Sequence, residues 1–292
     1  MREGVTRRTA LAASGLFWLG GMAPANLKAV EKQAGGRLGF ALLDSGNGKV
    51  IGHREDERFA LCSTFKLPLA ALTLKGLESG EFSAKERIAI RKADMVPHAP
   101  VTGLHVGKSM GLRELAEATQ ITSDNVAANL LLKKLGGPEA FTRRLRELGD
   151  EVTRLDRWEP EMNRVIGDDP RDTSTPLALA KTVEKLVLGN MLKPASRNLL
   201  VTWMANTRTG MGRLRAGVPA GWKVGDKTGT ASAPGMPNRT NDVAVIWPPD
   251  GAPLVAAAFY EAPGHFPGGW PQDEAVLRDA MIIALQSMGL GH

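Results

Sequence analysis

Ser63 and Lys66 stand three residues apart where an apolar run begins, in Ser63-Thr64-Phe65-Lys66. Residues at i and i+3 share a helix face, so the Lys66 amine can reach back toward the Ser63 oxygen. Free N–H groups in a first helical turn favour negative charge developing beside them. A hydroxyl with an adjacent base and local support for an anion is the requirement for a serine nucleophile. Ser and Lys are common residues, so this spacing needs other groups to give it meaning.

Three further groups supply them. Ser123-Asp124-Asn125 falls in a short break between two helical patterns; it reads either as a helix cap or as a set of polar groups facing a site. Lys227-Thr228-Gly229-Thr230 lies on an expected strand, where a glycine costs stability unless another backbone or a ligand comes close. Glu159 and Asn163 sit in an aperiodic stretch, residues 157–172, bounded by Arg157 and Asp172. Loops of that length inside compact structure are usually functional.

The positioning elements follow from periodicity and punctuation. A helix is expected over 27–33. Arg37 to Asp44 and Lys49 to His53 flank Ser45-Gly46-Asn47-Gly48 as a hairpin. Helical spacing begins at Ser63 and recurs over 112–121, 126–135, 139–148, 177–188, 194–204 and 274–285, with Pro138, Pro176 and Pro194 near starts and Gly136 and Gly189 at ends. Strands are expected over 222–230, 242–247 and 254–260. This order predicts an α+β lobe built from both chain ends, residues 26–61 and 206–292, with an antiparallel sheet. Residues 62–205 are expected to form an inserted all-helical lobe containing the 157–172 loop.

Composition narrows the function. A chain of 292 residues, 43% hydrophobic, can bury a large core. Arg2, Arg7 and Arg8 against Glu3 place two of the six net positive charges in residues 1–25. The remaining +4 is interspersed with acids, so no nucleic-acid stripe is present. Arg7-Arg8, the run from Ala10 to Gly21 and Ala23-Pro24-Ala25 read as an export signal over residues 1–25. Thr6-Arg7-Arg8-Thr9-Ala10-Leu11 also resembles a twin-arginine signal. A periplasmic or secreted protein without stable membrane association after cleavage is expected. Cys62 is the single cysteine, which excludes an internal disulfide. It reads as a small packing group, although it adjoins Ser63. The five histidines are scattered, and no metal is expected.

Ser-x-x-Lys, Ser-Asp-Asn and Lys-Thr-Gly together, with Glu159 and Asn163 between the last two, resemble the class A serine β-lactamases within the penicillin-binding protein superfamily. The resemblance covers the chain after residue 25 and implies a two-lobed fold, a serine acyl-enzyme and no cofactor. It implies that Ser63 attacks a β-lactam amide, with Lys66 and Glu159 as the alternative bases for that step. Glu159 and Asn163 would hold the water that clears the ester. Ser123 would relay a proton to the lactam nitrogen, and Asn125 would meet the substrate's side-chain amide. Backbone N–H groups of Ser63 and Thr230 would form the oxyanion hole. Lys227, Thr228, Gly229 and Thr230 would bind the substrate, with the substrate carboxylate on Lys227, Thr228 and Thr230. Arg213 is either a further group for that anion or a surface charge. Arg157 and Asp172 would pair to pin the loop. Cys62 departs from members that bridge it to a cysteine after the Lys-Thr-Gly strand, because Ala231-Ser232 stands there. The segment Ala231 to Thr240 is long, and His98 at the cleft mouth reads as a stacking group or a solvated one. A monomer is expected. The nearest alternatives are a D,D-peptidase, which would lack a deacylating glutamate, and a non-hydrolytic penicillin-binding sensor.

Overall fold

A computed structural model describes residues 26–267 and 271–290. The expected export signal lies outside the described residues. In chain order the elements are α1 (Leu27–Ala34), β1 (Arg37–Asp44), β2 (Val50–His53), β3 (Phe59–Ala60), α2 (Lys66–Ser79), β4 (Arg87–Ala89), β5 (Ser109–Gly111), α3 (Leu112–Ile121), α4 (Asn125–Leu135), α5 (Pro138–Glu147), β6 (Thr173–Ser174), α6 (Pro176–Val187), α7 (Pro194–Ala205), β7 (Lys223–Ala231), β8 (Arg239–Trp247), β9 (Leu254–Glu261) and α8 (Pro271–Ser287).

Both chain ends build one antiparallel sheet in the order β2-β1-β9-β8-β7. β1 pairs along its length with β9, from Arg37 opposite Glu261 to Asp44 opposite Leu254. Alternation sorts the side chains between two cores. Leu38, Phe40, Leu42, Ala244, Ile246 and Tyr260 pack with α1 and α8 on one face. Val243, Val245, Val255, Ala257 and Phe259 face the helical body on the other. β7 is an edge strand, and its polar residues border the cleft between sheet and helices.

α2 is apolar around most of its circumference, with Leu67, Pro68, Leu69, Ala70, Ala71, Leu72 and Leu74 all buried. Such a helix belongs in the middle of a bundle, and α3, α4, α6 and α7 surround it. Phe65 at its entry meets Phe141 of α5 edge to face, ring centroids 6.1 Å apart.

Three details differ from the sequence expectation. Ser63 precedes the α-helix, in a 3₁₀ turn spanning Cys62–Phe65. The segment expected to be all-helical also carries the β4–β5 ladder and β6, which pairs with β3. β8 begins at Arg239 rather than 242, because Arg239, Thr240 and Asn241 are buried polar residues whose bonding replaces apolar burial. Among the described residues, no helix is long and apolar enough to cross a membrane.

Candidate active site

The turn that carries Ser63 is held from three sides. β3 pairs with β6, which ties it to the end of the 157–172 loop. Asn241 of β8 donates through Nδ2 to the carbonyls of Ala60 and Leu61 at 2.8 and 3.2 Å. Gly229 of β7 supplies the third side. A Cβ there would lie 3.0 Å from the Leu61 carbonyl oxygen and 3.2 Å from the Ser63 nitrogen. The glycine permits this close approach of strand to turn. Cys62 and Ser123 both adopt positive φ, 46° and 60°. Such backbone conformations in non-glycine residues concentrate at functional sites.

Lys66 is fully buried, and its Nζ lies 2.9 Å from Ser63 Oγ, 2.9 Å from the Ser123 carbonyl, 2.5 Å from Asn125 Oδ1 and 3.0 Å from Glu159 Oε1. An ammonium has three protons, fewer than the acceptors around it, so its protons are shared. Burial pushes the Lys66 ammonium below its usual range, and the Glu159 carboxylate opposes that shift. Ser63 Oγ donates to Glu159 Oε1 at 3.2 Å. Asn163 Nδ2 donates to Glu159 Oε2 at 2.6 Å, while Asn163 Oδ1 is buried and has no side-chain or backbone donor among the described residues.

Across the cleft, Lys227 is also fully buried. Its Nζ donates to Ser123 Oγ at 3.1 Å and to the Thr228 carbonyl at 2.7 Å. Burial, then the nearby positive charge of Lys66, lowers its proton affinity well below normal. Asn125 Nδ2 donates to the Pro97 carbonyl at 2.9 Å. The Thr228 hydroxyl meets that of Thr209 at 2.5 Å.

Arg213 is not a solvated surface charge. It is 6% exposed, donates to the carbonyls of Gly229 and Asn241 and to Thr230 Oγ1, and pairs with Glu274 at 3.0 Å. It stands against β7 through Thr230. Arg157 Nε meets Asp172 Oδ2 at 2.5 Å, and Asp172 Oδ1 accepts from the backbone N–H groups of Asp156 and Arg157. His98 is exposed, with its ring nitrogen 3.0 Å from the Thr122 carbonyl and its own carbonyl accepting from Asn125 N. Cys62 is free and buried among Ala60, Val165, Ala231 and Met236. Burial pushes its thiol up to about 12, so it stays protonated and unreactive.

Two groups escaped the sequence reading. Asn129 of α4 donates to the Glu159 carbonyl at 2.8 Å and accepts from Glu159 N at 3.0 Å, fixing the backbone beneath the carboxylate. An amide inside the apolar run of α4, where Asn is a poor helix former, was the available signal. Asp124 is more than a cap: besides Ala127 N it accepts from Val101 N, Thr102 N and Thr102 Oγ1, joining the β4–β5 connection to the Ser123 turn. No group of three or more His, Cys, Asp or Glu among the described residues is placed to hold a metal ion.

A hydroxyl between a buried lysine and a buried carboxylate, facing a second buried lysine, defines a serine hydrolase that works through an acyl-enzyme. Comparisons with known proteins agree. The model of the β-lactamase enzyme family matches residues 23–281. β-Lactamase L2 of Stenotrophomonas maltophilia is 48% identical over 241 residues, covering 82% of this chain and 78% of that protein. β-Lactamase CTX-M-97 of Escherichia coli is 47% identical over 237 residues, covering 81% and 80%. An ancestral class A β-lactamase (GNCA) superposes with a TM-score of 0.83 at 49% identity, covering 89% of this chain and 98% of that one. L2 solved with relebactam gives 0.85 at 47%, covering 91% and 97%. The chain belongs to the β-lactamase family and is a class A serine β-lactamase with the α+β two-lobed fold. It hydrolyses the β-lactam amide through a serine acyl-enzyme and so confers β-lactam resistance.

Proposed function

We propose the following division of labour. Ser63 Oγ attacks the lactam carbonyl carbon, and its proton passes to Glu159 or Lys66, both within reach. The N–H groups of Ser63 and Thr230 stabilise the oxyanion; losing one such donor costs on the order of 3 kcal/mol in comparable hydrolases. As the C–N bond breaks, Ser123 Oγ protonates the departing nitrogen and is resupplied from Lys66, 3.4 Å away, with the proton taken from Ser63. This leaves Glu159 ionised, while Lys227 holds the Ser123 hydroxyl at 3.1 Å. Water then attacks the ester, Glu159 takes its proton, and Ser63 leaves reprotonated. Asn163 Oδ1, buried without a donor, is the second acceptor such a water requires.

The substrate carboxylate is bound by Lys227 and by the hydroxyls of Thr228 and Thr230, with Gly229 allowing the backbone approach. Arg213 adds positive potential through Thr230. Asn125 Nδ2 bonds Pro97 with one hydrogen and keeps the other for the substrate's side-chain carbonyl. Arg157 and Asp172 close the neck of the loop that delivers Glu159. The lobes divide at residues 61/62 and 205/206. The protein acts as a monomer without metal or organic cofactor, exported to the periplasm or secreted through the signal in residues 1–25.

The observation that carries this reading is the placement of Glu159 Oε1, 3.2 Å from Ser63 Oγ and 3.0 Å from Lys66 Nζ. A D,D-peptidase or trapping protein has no use for a carboxylate there. Glu159→Ala should acylate with a chromogenic cephalosporin and then persist as a stable mass adduct, whereas Ser63→Ala with Cys62 intact should form none. Rapid product release by the Glu159 variant, or chelator-sensitive turnover by the unmodified chain, would refute it.

A further inference from the structure

Asn163 ends the 3₁₀ turn Glu161–Asn163 in the loop, Arg164 and Val165 follow it, and the three successive carbonyls are taken by two arginines in alternation. Arg157, at the loop's neck, donates through one terminal nitrogen to the Arg164 carbonyl at 3.0 Å. The other two go to Arg239, which opens β8 in the sheet. Its two terminal nitrogens donate to the carbonyls of Asn163 at 3.1 Å and Val165 at 2.6 Å. Its Nε donates to Glu261 Oε1 at 3.1 Å, the residue directly opposite on β9. Every nitrogen of the guanidinium is therefore engaged, on a residue only 4% exposed. The planar fork can span two carbonyls two residues apart at once, a fixed geometry that a lysine ammonium does not offer. Glu261 also accepts from Arg37 on β1, so the anchor is fixed to the sheet from both sides.

The loop thus has two separately held catalytic residues. Glu159 is clamped by Asn129 from the helical side, through its own backbone. Asn163 has no such clamp from α4; its N–H and Nδ2 bond the Pro160 carbonyl of its own turn, at 3.1 and 3.0 Å, and Arg239 is what ties its carbonyl to another element. We infer that Arg239 is a positioning residue for deacylation, fixing Asn163 against Glu159 from the sheet side while leaving acylation to groups it does not touch. Met236, four residues after Ser232 in the long β7–β8 connection, packs on Val165 and Cys62 and covers the apolar flank of the same junction. The inference rests on the hydrolytic reading above.

The partition between the two chemical steps tests it. Loss of Asn163 positioning should slow ester hydrolysis alone. In a two-step scheme kcat and KM then fall together, and kcat/KM, which reports acylation, is preserved. For Arg239→Gln we expect kcat to drop about 10- to 100-fold, the scale of a catalytic group displaced by about an ångström. kcat/KM should stay within about threefold, and quenched mass spectra should show accumulated acyl-enzyme. Arg239→Lys, which keeps the charge and loses the fork, should fall between. Melting temperatures are measured for both, and if the Gln variant does not fold the Lys variant decides. Equal losses in kcat and kcat/KM without an adduct, or no change in either, would overturn the role. The unmodified chain is assayed alongside: absence of turnover there defeats the hydrolytic reading, whereas normal turnover with an unaltered partition in the variants defeats the tether alone.

Discussion

Lys66 and Lys227 are the two fully buried lysines of the cleft, and they differ in what neutralises them. Lys66 lies 3.0 Å from a buried carboxylate. Lys227 has a hydroxyl and a carbonyl as its bonded partners and no carboxylate within ion-pair distance among the described residues. Burial weakens the hold of both on their protons, but only Lys66 has a bonded acid that opposes the shift. The acid beside Lys66 favours keeping that lysine charged, whereas Lys227, with no bonded acid, gives up its proton more readily until an anion arrives beside it. One residue type in one cleft acquires two electrostatic states from the presence or absence of a neighbouring acid.

Replacing each lysine by methionine of similar length separates the two. Lys66→Met should lose at least about three orders of magnitude in kcat/KM, as removal of a nucleophile's activating base does. It should also destabilise the fold by roughly 3 kcal/mol, because Glu159 is left buried without its partner. Urea unfolding at neutral pH reads that cost. An unchanged or raised stability would show that the pair is not an ion pair in the resting enzyme.

Lys227→Met should behave oppositely. With no bonded carboxylate to strand, its stability should match or exceed that of the parent. KM for carboxylate-bearing substrates should rise about 10- to 100-fold, the worth of one hydrogen bond to a charged group. A substrate lacking the carboxylate should lose much less. Equal losses for both substrates would place Lys227 in proton relay through Ser123 rather than in anion binding.

Much of this contrast was legible before any coordinates. Ser63, Lys66, Ser123 and Lys227 stand out as a set through the resemblance their motifs bear to one family, α3 through its helical period, and β1 as a short apolar run ending at a Gly- and Asn-rich turn. What escaped has a common cause. The β3–β6 pairing is two residues long, too short to carry a period. Arg239 meets acceptors 74 and 76 residues earlier in the chain, and its role depends on backbone carbonyls, which no side-chain pattern advertises. Asn241 and Arg239 read as loop because they are polar. They are buried because each finds its partners on another element. The sequence also left Arg213 open between surface and site, since burial of a charge depends on a counter-charge such as Glu274, 61 positions away.

The smallest expected effect concerns the acids behind the strand of Lys227. Asp242, fully buried opposite Thr228, and Asp226, paired with Arg215 at 2.8 Å, are the nearest negative influences on Lys227. Burial, then the proximity of Asp226, holds the Asp242 carboxyl well above its ordinary value of 3.8. Its Oδ2 accepts from Leu214 N, and its Oδ1 has no hydrogen-bond partner among the described residues. A protonated Asp242 gives Lys227 no counter-charge, which leaves an incoming substrate carboxylate as the group that favours the lysine's charged form. The sign follows from linkage: above about pH 4 the unfolded chain has released this proton while the native state retains it. Stability contributed by Asp242 is therefore present at low pH and lost as pH rises toward its native value. Asp242→Asn keeps the acceptor for Leu214 and removes the titration. It should flatten that decline and gain about 1 kcal/mol near pH 8, measured by urea unfolding across pH 4–9. KM for carboxylate substrates should stay unchanged at pH 6. A rise in KM there would mean that Asp242 is ionised and that Lys227 has a counter-charge after all, through the strand rather than across the cleft.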